Sequence, residues 1–313
     1  MNETAYRETE ERLLVDAGLD AHEARIPLDR LGGQARVLVA GEGDPVLFLT
    51  GGPDAGASWA YAAAKVSGVR ALLLDRPGTG LSDPPQEVPR VETLAEYVSD
   101  LTADVLDAME VDRAVLVGCS LGGYSALRSA AALPDRVQGV YLAGCPAFVP
   151  GWSAPRFFTM LRTPVIGRLM LGLPATRQST RLSLRELGHR RSLASGRIPR
   201  PLLEWVHAWQ RHTDTMRNDA AMICGLGTWL GGFDPALDLD EETLASVDAP
   251  CHVLVGTDDP VGGEDVAERL ASLLPDAAVE VWKDAGHLPW YDDPARFATS
   301  LERFRAARVS DRL

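Results

Sequence analysis

Residues 115–123 read V-L-V-G-C-S-L-G-G, an apolar strand-like run that passes through G-x-S-x-G into a helix-like stretch. So abrupt a change of direction demands a strained backbone at Ser120. Side chains at Gly118 and Gly122 would collide in such a turn, which is the physical reason for glycine at both positions. The turn leaves the serine hydroxyl exposed at the edge of a sheet, with the N–H of Leu121 and the helix N-terminus aimed at charge developing on a carbonyl oxygen. Taken alone the pentapeptide is only moderately specific, and a structural Gly-Ser turn before a helix is the plain alternative. The rest of the chain decides between them.

Outward from this turn, residues 36–40, 45–50, 69–74, 113–117, 137–143 and 252–255 are short runs rich in Val and Leu, bounded by Gly, Pro or Asp. Runs that are apolar on both faces predict parallel strands covered by helices on each side. Between them lie helical patterns: 91–109, with Leu94, Val98, Leu101, Val105 and Ala108 on one face; 121–133; and 264–274, with Val266, Leu270 and Leu274. A short amphipathic helix is expected over 3–16 and a last one from about Pro294. The fold class that follows is α/β, a mostly parallel central sheet with helices on both faces. From 147 to 246 the alternation stops and a Pro-punctuated, Arg-rich and aromatic-rich stretch takes over, mainly helical in pattern. It reads as an inserted helical cap over a core made of 1–146 and 247–313.

The length of 313 residues allows one large α/β domain or two smaller ones. A net charge of −13 argues against a nucleic-acid partner. The charge is uneven: residues 151–217 hold 12 Arg, no Lys and 3 acids, a net +9 that leaves −22 elsewhere. Pairing of these arginines with the acidic core is expected ahead of attraction for an anionic substrate. Glu3, Glu8, Glu10 and Glu11 stand where a secretory signal would be basic and then apolar, and no apolar run is long enough to span a bilayer. Cys119, Cys145, Cys224 and Cys251 form no CxxC pair, so each is expected to be a small buried hydrophobe in a reducing, cytoplasmic setting.

A serine hydroxyl needs a base, nearly always a histidine held by a carboxylate. Of six histidines, His22 falls in a polar linker, His189, His207 and His212 in the cap, and His252 at the start of a strand, where packed or surface roles suffice. His287 follows a strand-like segment, 278–281, in the turn D-A-G-H-L-P, from which an imidazole can reach the sheet edge. The carboxylate belongs on the loop after 252–255, G-T-D-D-P. Pro260 biases Asp259 toward an extended backbone, so Asp258 and Asp259 should point apart and only one can serve. Turn capping is the role expected for Asp258.

On these residues the chain resembles the α/β-hydrolase superfamily, of the lid-bearing kind that includes esterases, lactonases, carbon–carbon bond hydrolases and proline iminopeptidases. The family's H-G-x-P is matched by Thr50-Gly51-Gly52-Pro53, which implies the N–H of Gly52 as second oxyanion donor beside that of Leu121. The family's G-x-x-D-P matches 256–260 and selects Asp259; its G-H-x-P turn matches 286–289. Its D-x-x-G-x-G-x-S loop is Asp75-Arg76-Pro77-Gly78-Thr79-Gly80-Leu81-Ser82, similar to a structural turn; a dinucleotide fingerprint would need glycine where Asp83 stands. Thr50 and Cys119 depart from the commoner residues. A haloalkane dehalogenase or epoxide hydrolase of this fold would carry aspartate at position 120.

The expected chemistry is two-step acyl transfer on a small, largely apolar ester, lactone or related substrate: Ser120 attacks, His287 moves the proton and Asp259 steadies the imidazolium. It requires no metal or organic cofactor. Trp152, Phe157, Trp205 and Trp209 of the cap, with Trp290, are candidate pocket-lining residues, as are Phe158, Met160, Met216, Met222 and Trp229, although core packing accounts for them equally well. Gly51 to Pro53 and Glu204 also suit a proline iminopeptidase, whose substrate amine Glu204 would hold. Acyl transfer to an alcohol or amine on the same residues is a further alternative, and a non-catalytic receptor a more remote one.

Overall fold

Strand after strand, successive side chains part to opposite faces of one sheet, as the two-residue period of extended backbone requires. The computed structural model describes residues 1–155, 174–228 and 232–310. Among these the sheet comprises β1 (Ala21–Pro27), β2 (Gln34–Ala40), β3 (Asp44–Leu49), β4 (Val69–Asp75), β5 (Ala114–Gly118), β6 (Val137–Ala143), β7 (Cys251–Gly256) and β8 (Ala277–Trp282), in the order β1-β2-β4-β3-β5-β6-β7-β8. β2 pairs antiparallel with β1 and β4, and every other pairing is parallel.

The helices are α1 (Glu3–Ala17), α2 (Ala60–Ala63), α3 (Leu94–Ala108), α4 (Leu121–Ala132), α5 (Arg177–Glu186), α6 (Arg190–Ser195), α7 (Arg200–His212), α8 (Thr215–Gly225), α9 (Glu241–Ala245), α10 (Glu264–Leu273), α11 (Pro289–Asp292) and α12 (Pro294–Ser310). In β3, Leu47 and Leu49 join the apolar cluster on one face while Val46 and Phe48 join the other; in β4, Leu72 and Leu74 part from Ala71 and Leu73 likewise. The first face is covered by α3, α4 and α10 through Leu94, Val98, Leu127 and Leu270, the second by α1, α2 and α12 through Leu13, Ala62 and Phe297. Apolar residues on both faces of the inner strands are therefore the cause of the two-sided helical cover.

β1 departs from the sequence expectation, which put His22 in a linker. As an edge strand it bonds to β2 alone and buries only Ile26, so no apolar alternation marks it. Cys224 also departs: it is exposed on α8, whereas Cys119, Cys145 and Cys251 are buried. Arg36 of β2 fixes α1 to the sheet, donating to Glu10 Oε1 at 3.0 Å, Glu23 Oε2 at 2.8 Å and Asp75 Oδ2 at 3.1 Å. A buried guanidinium is tolerated because carboxylates surround it.

The segment between β6 and β7 carries α5 to α9. Its helix α7 packs on α1: Tyr6 and Leu13 share a cluster with Trp205, Val206 and Trp209, and Asn2 N–H donates to His212 O at 2.8 Å. Of the arginines in this segment, Arg191 reaches the core at Asp284 (2.7 Å), while Arg200 and Arg217 pair with Glu204 and Asp214 nearby in sequence. Among the described residues no helix is long and apolar enough to cross a membrane.

Candidate active site

β5 ends at Gly118 and α4 begins at Leu121, leaving two residues for the reversal. Ser120 makes it at φ 53° and ψ −120°, a left-handed conformation that costs a non-glycine residue free energy. Its neighbours show why they are glycine. A Cβ on Gly118 would lie 2.3 Å from Gly122 O, and one on Gly122 would lie 2.1 Å from Leu49 O. Ser120 O accepts from Tyr124 N in α4 and from Ala147 N, both at 3.0 Å, so the turn is held from two sides. The loop after β3 passes directly over it: a Cβ on Gly51 would stand 3.0 Å from Ser120 Cβ.

His287 lies between β8 and α11, and Asp259 follows β7. The structure brings them together: His287 Nδ1 is 2.9 Å from Asp259 Oδ1 and 3.0 Å from Oδ2. The carboxylate also accepts from Cys145 N and Val261 N, each at 2.9 Å, which fixes its plane. Asp258 turns away, 3.7 Å from Arg191 Nε. The far edge of the imidazole faces the residue preceding the serine, with Nε2 3.8 Å from Cys119 Sγ; among the described residues the Ser120 hydroxyl takes no hydrogen-bond partner.

Burial disfavours a charged His287, but Asp259 against Nδ1 and the Cys119 sulfur against Nε2 outweigh it and raise the imidazole well above its ordinary value. Burial pushes the Cys119 thiol up, although the neighbouring imidazole works against this. One acid in the loop after β3, Asp54, is pushed up to about 7 by its enclosed surroundings, against the pull of Ser58 and the Ala55 N–H.

Of the two expected oxyanion donors, Leu121 N opens α4 directly after Ser120, and Gly52 N lies in the loop after β3, next to the Gly51 that meets Ser120. Gly52 abuts a buried ion pair between the loop after β4 and α8: its Cβ would lie 3.0 Å from Asp219 Oδ2 and 3.1 Å from Arg76. Arg76 Nε and Asp219 Oδ2 find no further partner among the described residues, and the same holds for the buried Thr50 hydroxyl. In the neighbouring turn Asp75 accepts from Gly56 N and Leu81 N, and the Ser82 N–H and hydroxyl donate to Thr79 O and Asp75 O.

The expected pocket-lining aromatics are dispersed. Trp290 is buried and stacks on Trp59 with ring centroids 3.7 Å apart, its indole N–H donating to Ser58 O. Trp205 and Trp209 are buried in the cluster between α7 and α1. Trp152 is half-buried against Phe148 and Phe233. Phe157, Phe158, Met160 and Trp229 lie outside the described residues. Glu204 pairs with Arg200 one turn away on its own helix. Neither Ser120 nor His287 lines the cavities of about 560 Å³, beside Val88 and Ala221, and about 460 Å³, beside Gly78 and Asn218. The contact of Cys119 with the imidazole was not anticipated from sequence; the cysteine's place beside the serine was the available signal.

Comparison with known proteins agrees with this architecture. The chain is 28% identical over 272 residues to a 2-hydroxy-6-oxononadienedioate/2-hydroxy-6-oxononatrienedioate hydrolase of Paraburkholderia phymatum, an alignment that covers 84% of this chain and 88% of that one. It is 27% identical over 273 residues to the protein Rv2715 of Mycobacterium tuberculosis, covering 85% and 76%. Among solved structures, carboxylesterase CesB of Bacillus subtilis superposes with a TM-score of 0.70 at 18% identity, covering 97% and 98% of the two chains. The model of the alpha/beta hydrolase family matches residues 46–300, from β3 into α12 and so through every element that carries the elbow, the histidine and the aspartate. By the span of that match the chain belongs to the alpha/beta hydrolase family.

Proposed function

We propose that the protein is a serine hydrolase that cleaves a carboxylic ester, lactone or related acyl bond of a small, largely apolar substrate through an acyl-enzyme. The observation that carries this reading is the buried Asp259–His287 bond of 2.9 Å at the same rim as the strained Ser120 turn. Ser120 Oγ attacks the carbonyl carbon while His287 Nε2 takes its proton, and the same ring then donates that proton to the leaving group. Water attacks the acyl-enzyme with His287 again as base. Contacts between nucleophile and base commonly tighten only in the substrate complex, in keeping with an imidazole that rests near Cys119. The N–H groups of Gly52 and Leu121 receive the oxyanion, a donor of this kind being worth roughly 3 kcal/mol in the transition state. We assign residues 147–246 as a lid, and Trp152, which retains free surface, as a wall of the acyl pocket.

A second reading takes its support from the relatives named as hydrolases of 2-hydroxy-6-oxo dienoic acids. The electrophile there is also a carbonyl carbon, so the same three residues would begin the reaction. A panel of chromogenic esters of graded chain length, run beside a 2-hydroxy-6-oxo dienoic acid and with Ser120→Ala as control, separates the two. Equal background rates for wild type and variant on every substrate, with no labelling by a fluorophosphonate, would remove both.

A further inference from the structure

Three successive backbone N–H groups around His287 are taken by one small patch of side chains and backbone. Gly286 donates to Asp292 Oδ2 at 2.8 Å, His287 to Leu187 O at 2.8 Å and Leu288 to His189 Nε2 at 3.2 Å. Leu187 and His189 flank Gly188 in the turn between α5 and α6, so two of the three acceptors come from the segment between β6 and β7. The third is held by the same segment: His189 Nδ1 donates to the Asp292 carboxylate at 3.0 Å, and Ser192 Oγ donates to its Oδ1.

Because Nε2 accepts from an amide, the neutral ring carries its proton on Nδ1, and both nitrogens are used. Burial opposes ionisation of Asp292, yet the donors His189, Ser192 and Gly286 keep its carboxyl below the usual range. His189, Ser192 and Asp292 are 1%, 0% and 5% exposed, so losing one partner strands the others away from water. The backbones touch as well. A Cβ on Gly286 would lie 2.6 Å from Leu187 O, and one on Gly188, at φ +91°, would lie 2.2 Å from Asp258 O.

We propose that His189 is a positioning residue for the hydrolytic reaction: through Asp292 and the Leu288 N–H it fixes the 285–292 loop so that His287 meets Asp259 on one edge and the nucleophile rim on the other. This rests on the reading of His287 as the base. It makes the seating of the segment between β6 and β7 a condition for a correctly aimed imidazole, since moving the 187–189 turn frees the acceptors of His287 and Leu288 together and loosens that of Gly286.

The test uses the full chain with His189→Ala, His189→Asn and His189→Gln, reading kcat and KM on the best ester of the panel and amide hydrogen exchange at 286–288. His189→Ala is expected to lower kcat roughly 10- to 100-fold with KM within about twofold, because sub-ångström misplacement of a catalytic group acts on the chemical step. Exchange at 286–288 should quicken while β5 stays protected. His189→Asn and His189→Gln each retain one of the two bonds and should fall between wild type and alanine. Unchanged kcat and exchange in His189→Ala overturns the proposal, and so does a rise in KM alone. Should the alanine variant fail to fold, Ser192→Ala removes one donor from Asp292 and is expected to give a smaller loss of kcat with faster exchange at Gly286; no change in either overturns it equally. Full turnover by Ser120→Ala would sink the serine-hydrolase reading while the exchange data still decide the clamp; an inactive Ser120→Ala beside a normal His189→Ala sinks the clamp alone.

Discussion

Asp259 offers both carboxylate oxygens to one nitrogen of His287, Oδ1 at 2.9 Å and Oδ2 at 3.0 Å, while Cys145 N–H and Val261 N–H hold the same two oxygens from the other side. Four contacts leave the carboxylate no freedom to turn. Asp259→Asn replaces an acceptor by an amide that must present N–H to at least one existing donor, favouring the wrong imidazole tautomer. A fall in kcat of about 10³- to 10⁴-fold with little change in KM is expected, measured by steady-state ester hydrolysis.

The raised His287 sets a pH dependence. With His287 as the proposed base, which must be neutral to act, kcat/KM should climb with pH through a midpoint above the ordinary histidine value of 6.5. For stability the sign is opposite: a folded-state value above the unfolded one contributes stability below about pH 6.5 that is lost as pH rises through the folded value. In Asp259→Asn the activity midpoint should move down, since the partner that favours the charged ring is gone. A midpoint unmoved by that substitution would contradict the pairing.

Gly122→Ala puts a methyl group 2.1 Å from Leu49 O and 2.7 Å from Thr50 O, backbone atoms that cannot rotate aside. The elbow must open to admit it. Loss of about 1–3 kcal/mol of stability is expected, together with loss of fluorophosphonate labelling, because the same shift displaces the Leu121 N–H. Denaturant melts and labelling of the same preparation check the two effects.

Asp54, pushed up to about 7, gives a prediction for stability with its own sign. The raised carboxyl contributes stability fully present below its unfolded value near 3.8, which fades as pH climbs through about 7. Asp54→Asn, neutral throughout, should gain on wild type between pH 4 and pH 8 and show most of that gain by pH 8. Thermal melts across the interval decide it, and a constant difference would refute the shift.

Trp290→Ala removes a buried ring stacked on Trp59 and is expected to cost about 3–5 kcal/mol, read from denaturant unfolding. Residual folded enzyme should keep the wild-type KM, because the ring spends its surface on Trp59 and Phe297.

The parts of the fold that a reader of the sequence can find are those where burial writes a pattern. Leu47 and Leu49 against Val46 and Phe48 make β3 a continuous apolar run, and Gly118 and Gly122 mark the elbow because no other residue fits there. β1 leaves no such trace, since an edge strand with one buried residue has no reason to alternate. His189 was legible only as a cap histidine: what it does depends on Asp292 and Leu288, about a hundred positions away, and pairing at that range has no local signature. Trp290, counted among the candidate pocket residues, turns its ring toward Trp59, more than two hundred positions away, a contact equally without a local signature.

The docking of α1 on α7 has a consequence for biosynthesis. Tyr6 and Leu13 are synthesised about two hundred residues ahead of Trp205 and Val206, which cover them. Until then the nascent helix can meet the sheet and α2, but the side of its apolar stripe that α7 covers stays open. A chain arrested before residue 200 should therefore engage holdase chaperones through Glu3–Ala17 and release them once the partner helix has appeared.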